Sequence, residues 1–300
     1  MSHKVLLAKK TKNLQIDNEI VKYYLSGNIN KFTYLQHLNL KGSINSLDLS
    51  FTNIYWNISF KIDSKRDQLV IFKDSLYYPK SYLIPEELNL IDETKKYFFK
   101  EEKSSSGAGI HLEMNNKVGL AQESIEPFLY KNRKIDNRIY VIISKINNID
   151  NCYIYNEVLV RSSQNFYMEL SKNKLTQITN TAALTAQNSE DNQYILRNLP
   201  FNEIFMCKIK EVVLDIYKII LQKHSVNNNT FNMYGFDIII DKNCQPYLLE
   251  INSNPNFIKS LNTQEIKEMK LNLLNDLIFN LIPCLTTQKY NLVKNFIKIY

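Results

Sequence analysis

Residues 231–255 read FNMYGFDIIIDKNCQPYLLEINSNP. Phe236 to Asp241 is a run dominated by β-branched residues, Asp241 to Gln245 is a cluster of turn formers, and Pro246 to Asn252 is a second apolar run interrupted by Glu250 and Asn252. The pattern predicts an antiparallel hairpin. With Lys242 to Gln245 as the loop, Asp241 pairs with Pro246, Ile239 with Leu248, and Asp237 faces Glu250, with Asn252 two residues further along the same face. At a Cβ separation of about 5 Å and an effective dielectric near 20, two carboxylates repel by roughly 3 kcal/mol, so the pair calls for a compensating cation. Three oxygen ligands without His or Cys suit a hard ion such as Mg²⁺. The competing reading of the same spacing is an exposed hairpin face with scattered acids.

The rest of the chain narrows the class. Three hundred residues suffice for a substantial core, burying about three quarters of the unfolded surface, in one large domain or a few small ones. A composition of 44% hydrophobic and 22% charged residues is that of an ordinary globular protein, and the net charge of +7 points to an acidic partner. No array of interleaved basic and aromatic residues marks a nucleic-acid reader. MSHKVLLAKKTK has too short an apolar core for a signal peptide and no later run approaches a membrane span, which predicts a cytoplasmic protein without a membrane partner. Cys152, Cys207, Cys244 and Cys284 are far apart, as are His3, His37, His111 and His224, so neither a disulfide framework nor a zinc site is expected.

Residues 1–60 lack a clear period, with a candidate helix at 16–25 and alternation at 47–60, and are read as a small N-terminal accessory unit. Residues 61–95 form a connector and central subdomain in which a short helix precedes a Tyr-Pro and Ile-Pro stretch. Lys96–Lys100 and Ile110–Met114 are expected strands around EEKSSSGAG. This is a glycine-serine loop inside a hairpin, not the strand-glycine-helix order of a P-loop; it is either a flap able to close over phosphates or a plain polar hairpin. In RKIDNRIYVIIS, from Arg133, the alternating Lys134, Asp136 and Arg138 share one strand face, again either a site or a solvated surface. Cys152–Val160 repeats the strand pattern, and 162–200 reads as polar loop plus a short element. Glu203–Lys223 is an amphipathic helix, and Thr263–Ile282 and Lys289–Ile299 are expected helices.

The order of these pieces, a lysine strand, a glycine flap, a charged strand and then the D…ExN hairpin, resembles the tubulin tyrosine ligase family within the ATP-grasp superfamily from about Phe60 to Phe257. The resemblance implies an α+β, ATP-grasp-like fold of antiparallel sheets with packed helices, in which 96–300 is the catalytic region. It implies Mg²⁺ ligation by Asp237, Glu250 and Asn252, the three residues chosen by register. It implies ATP binding by Lys100, by the flap residues Ser106, Gly107, Gly109 and Ile110, by Gln122, Glu123, Ser124 and Ile125 around adenine, by Lys134, and by Asn180 beside Thr179. Asp136, Arg138 and Arg161 fall to the amino-acid substrate. The chain departs from the family in having Glu101 after the phosphate lysine, where proline is usual, and in lacking a histidine near Gln177.

The activity so implied is carboxylate activation by ATP to an acyl phosphate, then attack by the amine of a free amino acid (Tyr, Glu or Gly) on an acidic protein acceptor such as tubulin. Two other readings stand beside it: a small-molecule or peptide ligase with the same ATP chemistry, and a nonenzymatic nucleotide- or microtubule-binding protein.

Overall fold

The computed structural model describes residues 62, 64–102, 109–146, 148–179, 192–224, 230–252, 255, 263–281, 284–285 and 293–300. The expected accessory unit at 1–60 lies outside them, as do Ser106, Gly107 and Asn180. In chain order the elements are α1 (Lys65–Phe72), β1 (Ser81–Leu83), β2 (Tyr97–Lys100), β3 (Ile110–His111), β4 (Leu120–Glu123), β5 (Leu129–Tyr130), β6 (Arg133–Ile146), β7 (Ile149–Tyr155) and β8 (Leu159–Ser162). There follow α2 (Lys174–Gln177), β9 (Gln193–Ile195), α3 (Asn202–Lys223), β10 (Thr230–Ile240), β11 (Pro246–Asn252), α4 (Gln264–Asp276) and β12 (Phe296–Lys298). The fold is mixed α+β with two antiparallel sheets, a small one ordered β1-β4-β2-β3 and a larger one ordered β11-β10-β6-β7-β12, with β5 and β8 also paired to β6 and β9 to β8.

Strand β6 is the axis of the larger sheet, and its sequence explains why. Residues 139–143, IYVII, are apolar without alternation, so both faces of the strand must be covered. Ile135, Ile139, Val141 and Ile143 enter a core shared with Leu69 and Phe72 of α1 and with Phe205, Ile209, Val212, Val213 and Ile216 of α3. Tyr140 and Ile142 enter a second core with Ile266, Met269 and Leu273 of α4. Because side chains alternate, Lys134, Asp136 and Arg138 lie on the same face as Tyr140 and Ile142. All three are buried, so this face is not the solvated strand surface that the spacing also allowed.

The hairpin forms with Asp237 opposite Glu250, yet by a different register from the one expected at its turn. Ile240 pairs with Pro246, Ile239 with Tyr247 and Ile238 with Leu248, and an irregularity after Asp237 leaves Leu249 as an extra residue. Asp241 belongs to the turn because its Oδ1 accepts from the backbone N–H of Asn243 at 2.8 Å and of Gln245 at 2.7 Å. The one-residue slip and the bulge cancel. As the last strand of the sheet, β11 exposes an edge, and buried Gln68 of α1 covers it, donating to Ile251 O at 2.7 Å and accepting from Ile251 N at 2.8 Å.

Other expectations are corrected. Of the expected helix Lys289–Ile299, the described residues 293–299 are not helical: Phe296–Lys298 is a strand on the outer edge of β7, where Phe296 packs on Tyr155 with ring centroids 5.2 Å apart. The β7 backbone needs hydrogen-bond partners there, and the alternating FIKIY supplies them better than an isolated short helix would. After Asp276, α4 passes into a π-turn at Leu277–Leu281. Strand β3 ends at His111, short of Met114.

Gly235 follows from close approach. A Cβ there would lie 2.9 Å from Pro255 Cβ and 3.1 Å from Arg138 Cδ, so the Arg138 side chain can cross β10 only above a glycine. Gly235→Ala is expected to destabilise the protein by about 1–3 kcal/mol through overpacking and to displace Arg138; urea denaturation checks the first effect and a crystal structure of the variant the second.

Candidate active site

The two sheets face each other across a cleft. The small sheet contributes Phe98, Lys100, Ile110, Gln122, Glu123 and neighbouring Ile125, and the larger contributes Lys134, Asp136, Arg161, Asp237, Leu249 and Glu250, with Gln177, Ile178 and Thr179 closing one side. Its floor is an ionic network carried by adjacent strands. Arg161 of β8 donates to Asp136 of β6 through Nε at 2.7 Å and through Nη2 at 2.5 Å, and Thr179 Oγ1 donates to the same carboxylate at 2.7 Å. Arg138 donates to both oxygens of Asp237, to Oδ1 through Nε and to Oδ2 through Nη2 at 2.9 Å. Arg161 Nη2 lies 3.1 Å from Asp237 Oδ1 and joins the pairs into one network. Two such carboxylates are held in a dry site only by paired guanidinium forks.

The electrostatics follow from burial and pairing. Burial works to raise the Asp237 pKa, but Arg138 and Arg161 outweigh it and hold the carboxyl below its usual range. Burial likewise opposes charge on Arg138, and Asp237 more than offsets it, so the guanidinium stays charged. The lysines are less well compensated. Burial pulls Lys100 down to about 8 against the attraction of Glu250 and Asp237. It pulls Lys134 down to about 7 against the attraction of Asp136, with Lys96 and Lys100 adding repulsion. Lys100 Nζ donates to Gln122 Oε1 at 2.6 Å and to Leu249 O at 3.4 Å, and Lys134 Nζ sits over the Phe98 ring, 4.5 Å from its centroid. Lys100 is therefore buried between β4 and β3 rather than being a solvated edge lysine.

Most of the residues singled out in the sequence converge here. Lys100, Ile110, Gln122, Glu123, Ile125, Lys134, Asp136, Arg161, Asp237 and Glu250 all line the cleft. Buried Gly109 stands at the base of the flap, where its carbonyl accepts from Glu101 N at 2.9 Å. Ser124 is turned into a backbone contact, its N–H donating to Lys96 O at 2.8 Å, and Glu123 also pairs with Lys95 at 2.7 Å.

The hairpin acids meet their cations among side chains. Asp237 is neutralised by the two arginines, and Lys65 of α1 lies 3.9 Å from Glu250, so the repulsion inferred from the register does not by itself demand a metal. Among the described residues no three His, Cys, Asp or Glu side chains are grouped to hold a metal ion. The donor set is thus two carboxylates and an amide: Asp237 opposite Glu250, with Asn252 Nδ2 3.4 Å from Asp237 Oδ2. All three present oxygen atoms once the Asn252 amide is turned, which fits a hard divalent cation.

Three contributors were not singled out from the sequence. Lys65 and Gln68 sit on a helix whose contact with β11 spans more than 180 residues of chain, beyond any local signal. Gln177 is 1% exposed, and its Nε2 donates to Met168 O at 2.5 Å and Glu169 O at 3.3 Å. Its Oε1 and the Nε2 of Gln122, 2% exposed, have no hydrogen-bond partner. Two residues that line the cleft thus each keep one buried amide atom without a hydrogen-bond partner.

Two outcomes are expected. The penalty for burying Lys134 is fully present below its folded value near 7 and fades as pH rises toward the unfolded value of about 10.4. Lys134→Met should therefore stabilise the ligand-free protein at pH 6.5, by on the order of 3 kcal/mol, with the gain shrinking by pH 9.5, as read by urea melts. Arg161→Ala leaves Asp136 and Asp237 short of a partner and should destabilise the fold by about 3–5 kcal/mol, whereas Arg161→Lys loses less; thermal melts distinguish them.

Comparison with known proteins identifies the family. The chain is 28% identical over 241 residues to a probable tubulin polyglutamylase of Caenorhabditis elegans, covering 67% of this chain and 57% of that protein. It is 28% identical over 255 residues to tubulin glycylase 3D of Tetrahymena thermophila, covering 71% and 24% respectively. It is 24% identical over 256 residues to the tubulin polyglutamylase TTLL6 of Mus musculus, covering 71% and 31%. The chain thus spans from about a quarter to just over half of the length of these relatives. Residues 44–290, well over half of the chain, match the Tubulin-tyrosine ligase family as a whole, and the chain belongs to that family.

Proposed function

We propose that this chain carries the catalytic region of an ATP-dependent ligase of ATP-grasp architecture that joins an amino acid to an acidic protein tail through an amide bond. In this reading residues 96–300 form the catalytic region, 61–95 the connector and central subdomain, and 1–60 the accessory unit. The observation that carries it is the pairing of two buried, poorly compensated lysines with two carboxylates across one cleft. Lys100 and Lys134 gain most from an anion between the sheets, and phosphate oxygens are such anions.

The chemistry assigns each group a task. A carboxylate oxygen attacks the γ-phosphorus of ATP, the bond to the bridging oxygen breaks, and ADP leaves. The amine of the incoming amino acid then attacks the acyl carbon, phosphate departs with the C–O electrons, and the nitrogen loses a proton to give the amide. Lys100 and Lys134 bind the phosphates; Gln122, Glu123, Ser124 and Ile125 border the base; Gly109 and Ile110 would contact the nucleotide, as would Ser106, Gly107 and Asn180, which lie outside the described residues. Asp237, Glu250 and Asn252 would hold Mg²⁺, which neutralises phosphate charge in such displacements. Asp136, fixed by Arg161 and Thr179, faces the ammonium group. Arg138 and Arg161 would bind a carboxylate, a role suited to their planar guanidinium forks. Catalysis of this kind is orientation and electrostatics, and no nucleophilic side chain is required.

The relatives that are named as polyglutamylases and a glycylase favour glutamate or glycine as the amino acid and a tubulin tail as the acceptor. A basic chain acting in the cytoplasm suits such a tail. The test is a pooled assay with purified protein, Mg-ATP, labelled Tyr, Glu and Gly, and tubulin, read by mass spectrometry and ADP release. A discrete mass addition on a tail is expected. Glu250→Gln should cut ADP formation by a factor of 100 or more with an unchanged melting temperature. Full turnover by the folded variant overturns the site assignment, and folded wild-type protein that yields neither ADP nor adduct overturns the ligase reading.

A further inference from the structure

Residues 163–173, SQNFYMELSKN, join β8 to α2 and form a rim segment held by Gln177, which lines the cleft. Three large apolar side chains in this segment stand in solvent: Phe166 is 64% exposed, Met168 65% and Leu170 89%. Phe166 and Met168 lie two residues apart, and Leu170 stands in the turn that the Ser171 N–H closes on Met168 O. A mobile loop could carry such residues without consequence, but the backbone here is tied down at many points. Asn165 N donates to Leu175 O at 3.0 Å, Tyr167 N to Asn132 O at 2.8 Å and Ser171 N to Met168 O at 3.0 Å. Lys96 Nζ donates to Glu169 O. From within the cleft, Gln177 Nε2 grips the carbonyls of both Met168 and Glu169. A fixed backbone that holds three apolar side chains in water is the signature of an interaction surface.

Its surroundings specify the partner's chemistry. Arg133 lies against the Phe166 ring, 5.8 Å from its centroid, and Lys131 stacks over Tyr130 and Tyr194 at 5.3 and 5.4 Å. Lys172 pairs with Glu113 at 2.5 Å, and Lys96 and Lys174 flank the same segment. Among the described residues the acids around this segment are Glu169, Glu113, already paired with Lys172, and Glu126, already paired with Lys242 at 2.6 Å. The surface is apolar in the middle and basic around it.

We propose that this rim docks an acidic peptide segment bearing at least one apolar side chain, namely the stretch of the protein acceptor that flanks the modified residue. The proposal rests on the ligase reading for the identity of the acceptor, whereas the docking itself does not require turnover. Gln177 links the two regions, since its Nε2 anchors the rim while the residue itself lines the cleft.

The test uses the full chain and a fluorescein-labelled, glutamate-rich synthetic peptide containing one phenylalanine, followed by fluorescence anisotropy at low and raised salt. Wild-type protein should bind it, and the triple change Phe166→Ser, Met168→Ser, Leu170→Ser should weaken binding at least 10-fold without altering the melting temperature or Mg-ATP affinity. Arg133→Glu should weaken binding and flatten its salt dependence. In the ligase assay the triple variant should raise KM for the protein acceptor while leaving KM for ATP unchanged. Absence of wild-type binding, or unchanged affinity in the folded triple variant, overturns the proposal. So does a change of sedimentation from dimer to monomer in the triple variant, which would make the rim a contact between copies of this chain. Peptide binding that persists in the wild type without any ATP-dependent adduct would instead defeat the ligase reading and leave the docking surface standing.

Discussion

The structure depends on a constraint that operates where β6, β8 and β10 lie side by side: charges removed from water must find partners in the same dry space. Asp136, Arg138, Arg161 and Asp237 occupy neighbouring positions on three strands, with Asp136 opposite Arg161 and Arg138 opposite Asp237 in the ladders. Backbone pairing thereby sets the side-chain pairing. A shift of one residue between any two of these strands would turn half of the network to the opposite face and into the apolar core. The ionic cluster and the register specify each other.

That coupling explains the arrangement around the cluster. The larger sheet must be thick enough to exclude water on one face, which α1 and α3 achieve, and open enough on the other to admit a ligand beyond the edge of α4. Gly235 lets Arg138 cross its neighbour, the bulge at Leu249 brings a carbonyl toward Lys100, and Gln68 closes the backbone edge beside Glu250. None of these devices adds an apolar contact of note. Each instead fixes the direction of a charged group. The lysines of the smaller sheet and of the start of β6 are left with less compensation than the arginines, and the difference marks where an anion would settle.

Much of the candidate site was legible because it is built on strands. Period-two spacing put Lys134, Asp136 and Arg138 on one face, and the turn-flanked apolar runs put Asp237 opposite Glu250. The second result came through two compensating departures, since Asp241 was drawn into the turn by its own hydrogen bonds and Leu249 was extruded as a bulge. Local spacing could not tell whether the charged face of β6 was wet or dry, because that depends on residues as remote in sequence as Phe98, Arg161 and Asp237. It also placed a helix near the carboxyl end where the unpaired edge of β7 recruited a strand. The electrostatic inference from the hairpin was sound as a demand for positive charge. Arg138, Arg161 and Lys65 meet that demand with side chains.

By itself the sequence determined most of the strands around the site, their faces and the list of charged residues, because periodicity and turn chemistry are local properties of the chain. Only the tertiary structure decided which charges are buried, which arginine serves which carboxylate, and that Gln122 and Gln177 each keep an amide atom without a partner. Those outcomes rest on desolvation and on distances between strands remote in sequence, and neither quantity exists until the sheets have packed.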